Sequence, residues 1–124
     1  MSEARRRRGG LARRSGRRAE VIAALWLLAK GYRILGFRLR TPQGEIDLLA
    51  ARGDVLAVVE VKIRATLDAA LEAVTPDQRR RLRRAGAQLA ARRRRPLRVR
   101  LDLIALAPGR WPRHIPDAWR EDEA

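Results

Sequence analysis

The sequence predicts an α/β domain: a mixed sheet covered by helices, in the order helix, three strands, helix, strand. Three observations carry this. Residues 16–30 and 75–91 repeat apolar side chains at a helical period. Between them lie three alternating or continuously apolar runs joined by short glycine-containing links. After the second helix "LRVRLDLIALA" alternates again, as a strand does.

Taken in order, residues 1–15 hold Arg5–Arg8, Arg13 and Arg14 with no apolar period, and are expected to form a disordered basic arm. Ser15 is placed to cap a first helix that Gly31 stops. Val21, Leu25 and Leu28 mark its core stripe, which Ile22, Trp26 and Ala29 widen. "YRILGFRLR", "GEIDLLAA" and "DVLAVVEVKIR" follow as strands, the last two forming an antiparallel hairpin through Arg52-Gly53. "ATLDAALEAV" reads as a loop or a short helical turn. Thr75-Pro76-Asp77 opens the second helix, with proline near its first position. Gln78, Leu82, Ala85 and Leu89 share one face of it, and Arg79, Arg80, Arg81, Arg83 and Arg84 crowd the rest. Arg92–Arg95 and Pro96 end it, the fourth strand follows, and a short edge strand is expected around His114 and Ile115. One domain, 16–116, is therefore expected, with a frayed acidic tail over 117–124.

Charge and composition narrow the function. A formal charge of +15 in 124 residues points to a polyanionic partner, nucleic acid and DNA first. The chain has no cysteine, which removes disulfides, thiolate metal sites and cysteine nucleophiles. A single histidine, His114, leaves no material for a two-histidine metal site and argues against a Ser-His-Asp triad. Five Phe, Trp and Tyr residues are too few for a base-stacking platform. No apolar run is long enough to span a membrane. "VIAALWLLA" after the arginines faintly resembles a secretory signal. Glu20 at its start and the absence of a small-residue cleavage site favour a core helix, and with it a cytoplasmic protein without membrane contact.

Acidic residues appear where a core needs apolar ones. Strand side chains alternate faces. Val55, Ala57, Val59, Val61 and Ile63 make one wholly apolar face, while the other begins with Leu56 and Val58 and turns polar at Glu60, Lys62 and Arg64. With an even-length hairpin loop, Asp47 falls on the face of Glu60 and Lys62, either diagonal to Glu60 or directly opposite it. A slip of one residue separates them. Two adjacent carboxylates repel, and a divalent cation relieves that repulsion. All-oxygen ligation completed by water suits Mg²⁺ or Mn²⁺, which can acidify a water and stabilise charge on a phosphodiester. Lys62 would position that water or offset developing phosphoryl charge. Among 27 arginines and two lysines, a lysine here indicates that arginine is not equivalent. The competing reading is a Glu60–Lys62 ion pair at a strand end, with Asp47 merely nearby.

"GYRIL", "GEIDLLA", "GDVLAVVEVKIR", "EAVTPDQRRRL" and "VRLDLIAL" closely resemble the YraN-type uncharacterised protein family 0102. That family is similar to the restriction-endonuclease-like nucleases of Asp…Glu-x-Lys type, near the Holliday-junction resolvases. The resemblance covers about residues 16–107. It implies a restriction-endonuclease-like core and a metal-dependent endonuclease-like activity on DNA phosphodiesters, with the resolvase likeness pointing to branched or recombination DNA. It implies Asp47 and Glu60 as metal ligands assisted by the Val61 carbonyl, Lys62 as the catalytic lysine, and Glu20 as a further metal-side acid. It places Gln78 near the site on the second helix. By their charge, that helix's arginines, Arg79, Arg80, Arg83 and Arg84 among them, would track a phosphate backbone; the alternative is a solvated helix face. The resemblance leaves Glu45 without a role and takes Asp102 as structural. Arg38 and Ile63 depart from the family's pattern. The resolvase likeness also implies a homodimer, though no self-complementary patch is readable in the sequence. The alternative function is a non-catalytic nucleic-acid-binding protein that keeps the nuclease fold.

Overall fold

The computed structural model describes residues 17–120. The basic arm, the Ser15 cap and the last four residues of the acidic tail lie outside them. The described chain opens in a helix, α1, over residues 17–29. It continues through β1 (Arg33–Thr41), β2 (Gly44–Arg52), β3 (Val55–Ile63), α2 (Leu67–Glu72), α3 (Pro76–Ala91), β4 (Arg98–Leu106) and β5 (Arg113–Ile115). The expected order is retained, with "ATLDAALEAV" supplying α2 and the short edge strand at His114 supplying β5.

The strands form one mixed sheet in sequence order, β1 to β5. Only β3 and β4 run parallel, and α2 and α3 make the crossover between them. Thr66 and Thr75 cap these two helices, each hydroxyl accepting the backbone N–H three residues on. The helices sandwich the sheet. One core packs Ala23 and Leu27 of α1 against Leu48, Ala57, Val59 and Ile104. The other packs Leu82 and Ala85 of α3 against Leu56, Val58, Leu101 and Leu103.

Three expectations are corrected. The core face of α1 is Ala19, Ala23, Ala24 and Leu27, whereas Val21, Ile22, Leu25 and Leu28 point outward, 47–60% exposed. Alanines let the helix lie close to the sheet, and that approach decides which of two apolar stripes turns inward. The β2–β3 link is Gly53-Asp54, since Arg52 pairs with Val55. Gly53 takes φ 60°, as a two-residue hairpin with glycine first requires. Residues 117–119, assigned to the tail from sequence, are packed. The Asp117 N–H donates to Asp102, the Ala118 N–H donates to Leu101, and the Trp119 indole is buried with its Nε1 donating to Leu71.

Gly86 sets the spacing of α3 from the sheet. A Cβ there would stand 2.7 Å from Val99 Cγ1 and 2.8 Å from Val58 Cγ2. Gly86→Ala should therefore lose about 1–2 kcal/mol despite alanine's better helix propensity, because overpacking outweighs the propensity gain. Chemical denaturation checks this, and an unchanged or raised midpoint would contradict the close approach.

Candidate metal centre

The site arises where two ladders stop matching. Along β1–β2, Phe37 pairs with Leu48 and Leu39 with Ile46, but Arg38 and Asp47 between them do not pair. Arg38 sits at φ 47°, a left-handed conformation that a non-glycine residue adopts at a cost. Along β2–β3 the ladder ends at Leu48–Val59. One more step of that register brings Asp47 across from Glu60, the second of the two registers expected. Ile46 leaves the face of Leu48 and joins the core under α3. Asp47 turns into the gap between the strands, where its Oδ2 accepts the Val61 N–H at 2.9 Å. A side chain thus takes the donor the ladder would have used.

Asp47, Glu60 and Lys62 line one cleft of about 380 Å³ with Gln43, Glu45, Thr75, Gln78 and Arg81. Glu60 is 2% exposed and its Oε1 has no hydrogen-bond partner. Its Oε2 lies 3.9 Å from Lys62 Nζ, the outer limit of an ion pair. Burial, and then the charge of Asp47, push the Glu60 carboxyl up to about 8, with Lys62 only partly opposing them. Burial also raises Asp47, against the Val61 N–H and Lys62. The two acids therefore hold a proton between them at neutral pH. An orphaned buried oxygen on Glu60, a second buried carboxylate in contact with it and an open cleft fit a hard divalent cation. Among the described residues no group of three or more Asp, Glu, His or Cys converges, so the side-chain donors number two, with the Val61 carbonyl and water left to complete a shell.

A divalent cation held by these two acids would have to displace that proton, so its apparent affinity is expected to rise toward tenfold per pH unit up to about pH 8 and then level off. Mn²⁺ titrations between pH 6 and 9 measure this, and a flat profile would mean that Glu60 is not a ligand.

The other expected residues divide. Glu20 is buried but held by Arg38, whose Nε donates to both carboxylate oxygens at 2.8 and 2.9 Å. It reaches Asp47 and Lys62 only across a second cleft, of about 290 Å³, on the α1 side. Gln78 reaches the main cleft as expected. Arg79 is turned away, its Nε donating to the Val74 carbonyl and its guanidinium lying over Trp119 at 5.3 Å. Arg80 pairs with Asp77 at 3.5 Å, Arg83 is half-buried, and Arg84 is exposed on the helix. Arg81, expected from the sequence only as one of the helix's many arginines, pairs with Asp77 at 2.6 Å and lines the cleft. Its position one turn after Gln78 was the available signal.

Away from the cleft, Asp102 is fully buried on β4 and accepts from Arg100 Nε and Nη2, His114 Nε2 and the Asp117 N–H. Lys30 Nζ faces the other ring nitrogen of His114, which assigns the proton to Nε2. His114 is thus a buried connector on the edge strand, its side chain 1% exposed.

This geometry defines a class: an α/β protein with a paired-carboxylate cleft at a break between two strands. Residues 19–106 match the profile of "Uncharacterised protein family UPF0102". A UPF0102 protein of Caulobacter vibrioides (strain NA1000 / CB15N) is 73% identical over 117 residues, covering 93% of this chain and 94% of that one. Relatives from Paramagnetospirillum magneticum (54% identical, 90% and 91% covered) and Sinorhizobium fredii (50%, 84% and 87%) carry the same family name. The chain belongs to the UPF0102 family. No helix among the described residues is long and apolar enough to cross a membrane.

Proposed function

We propose that the protein is a divalent-metal-dependent nuclease acting on DNA phosphodiesters in the cytoplasm. The observation that carries this is the orphaned Glu60 Oε1, buried beside Asp47 in a cleft that also receives Lys62, Gln78 and Arg81. The acid pair on β2 and β3, inside a helix, three-strand, helix, strand order, supports a restriction-endonuclease-like reading of the fold. The charge of +15 supports a nucleic-acid substrate. Asp47 and Glu60, with the Val61 carbonyl, would hold Mg²⁺ or Mn²⁺, which when bound would acidify water and draw charge from a phosphate oxygen. Lys62 stands where an ammonium can orient the attacking water or offset charge on the phosphate. Gln78 and Arg81 project from α3 to hold the phosphodiester. The reaction joins water oxygen to phosphorus and breaks a phosphorus–oxygen ester bond, and the leaving oxygen takes a proton.

Purified protein with Mg²⁺ or Mn²⁺ should cleave duplex, single-stranded or branched DNA. Asp47→Ala and Lys62→Met should each lower the rate by at least about 100-fold. Equal cleavage by wild type and Asp47→Ala would end this reading. Salt-sensitive binding without cleavage by any form, with either metal, would favour the non-catalytic binding protein.

A further inference from the structure

We propose that the outward face of α1 is the contact surface for a second copy of this chain, packed as an antiparallel α1–α1 pair about a two-fold axis through Leu25. The inference is independent of the metal site. Val21, Ile22, Leu25 and Leu28 are 50, 47, 60 and 52% exposed on one side of a helix whose other side is already committed to the sheet. Trp111, 80% exposed, extends the stripe because its ring lies 5.9 Å from that of Trp26 on α1. Together these side chains present on the order of several hundred Å² of apolar surface, the size at which a patch on a monomer is often an interaction surface. That approaches the roughly 800 Å² each partner contributes to a standard interface.

The spacing selects the partner. Exposed positions 21, 22, 25, 28 and 29 read the same in both directions about 25. A two-fold contact must be self-complementary. Antiparallel pairing sets Leu25 against its own copy, Ile22 against Leu28, and Val21 against Ala29. The only carboxylate of α1, Glu20, is turned inward to Arg38 and supplies no opposing charge. Exposed Arg17 and Arg18 at one end of the helix and Lys30 at the other would face one another across the pair. Like charges at both ends mean that salt strengthens the association by screening repulsion. Docking on an anionic membrane or nucleic acid would be weakened by salt instead. The cleft lined by Asp47 and Glu60 opens on the α3 side and stays accessible in the pair.

The experiment is sedimentation equilibrium of the full chain, freed of nucleic acid, from about 1 to 100 µM in 0.15 and 1 M NaCl, bracketing the interface's salt response. The expected species is a dimer of twice 14.1 kDa, tighter at the higher salt. Leu25→Glu should raise its dissociation constant at least about 30-fold with an unchanged circular dichroism spectrum. The chain has no cysteine of its own, so Leu25→Cys supplies a second readout. Oxidation should give a covalent dimer, while the exposed α3-side control Arg84→Cys should not. A monomer at both salts up to 100 µM overturns the proposal, including one that instead binds phosphatidylglycerol vesicles. So does a dimer indifferent to Leu25→Glu.

Discussion

Replacing Asp102 with alanine should cost about 3–5 kcal/mol of stability, enough to unfold much of the protein at 37 °C. The carboxylate is fully buried and takes four hydrogen bonds, from Arg100 Nε and Nη2 at 2.8 Å each, His114 Nε2 at 2.8 Å and the Asp117 N–H at 3.0 Å. Arg100, which also donates to the Tyr32 hydroxyl, would be left without a counter-charge. The network ties β4 to β5, to the C-terminal end of α1 through Lys30, and to the first turn beyond it through Tyr32. Burial alone would raise the Asp102 carboxyl, but bonds from His114, Arg100 and Asp117 together hold it below the ordinary aspartate value. A depressed carboxylate stabilises the fold above its unfolded-state pKa near 3.8 and loses that contribution as pH falls below it. Asp102→Asn should therefore remove part of the acid-induced unfolding below pH 4. Denaturant melts read by circular dichroism measure both effects. A loss under about 1 kcal/mol for the alanine variant would show the network to be incidental.

Glu60→Gln should act in opposite directions on stability and on the site. Without metal, folded Glu60 keeps its proton to about pH 8, while in the unfolded chain it gives the proton up near 4.5. The folded state binds more protons across that window, so wild-type stability falls as pH rises from 4.5 to 8. Glutamine removes Glu60's share of the slope and leaves that of the raised Asp47 carboxyl. The variant should match wild type below pH 4.5 and exceed it by about 2–4 kcal/mol at pH 8, while losing divalent-cation binding. Millimolar Mn²⁺ should raise the melting temperature of wild type and leave Glu60→Gln unmoved. A variant less stable than metal-free wild type at pH 8 would contradict the account of Glu60.

The sequence carried the strand positions well because alternation and continuous apolar runs directly encode burial. It also carried the meeting of Asp47 and Glu60, since any even hairpin loop fixes their parity. It did not carry the register, because one glycine fits either of two adjacent two-residue links. It misjudged α1, where two apolar stripes compete and the larger side chains appear the better core. Close approach to a sheet favours alanine, and periodicity has no term for distance. Glu20 and Asp102 were legible as misplaced acids, but their partners Arg38, Arg100 and His114 are brought to them only by the fold. The left-handed Arg38, which lies at the unpaired step beside Asp47, leaves no sequence signal where glycine is absent.

The most direct test of the central claim is calorimetric titration of Mn²⁺ into metal-free protein at pH 8, for wild type and Asp47→Ala/Glu60→Ala, each repeated with a DNA duplex present. Wild type should show one saturable site per chain and the double variant none, with both keeping the folded spectrum. Equal binding by the two proteins, or no binding by wild type with or without DNA, would contradict that claim.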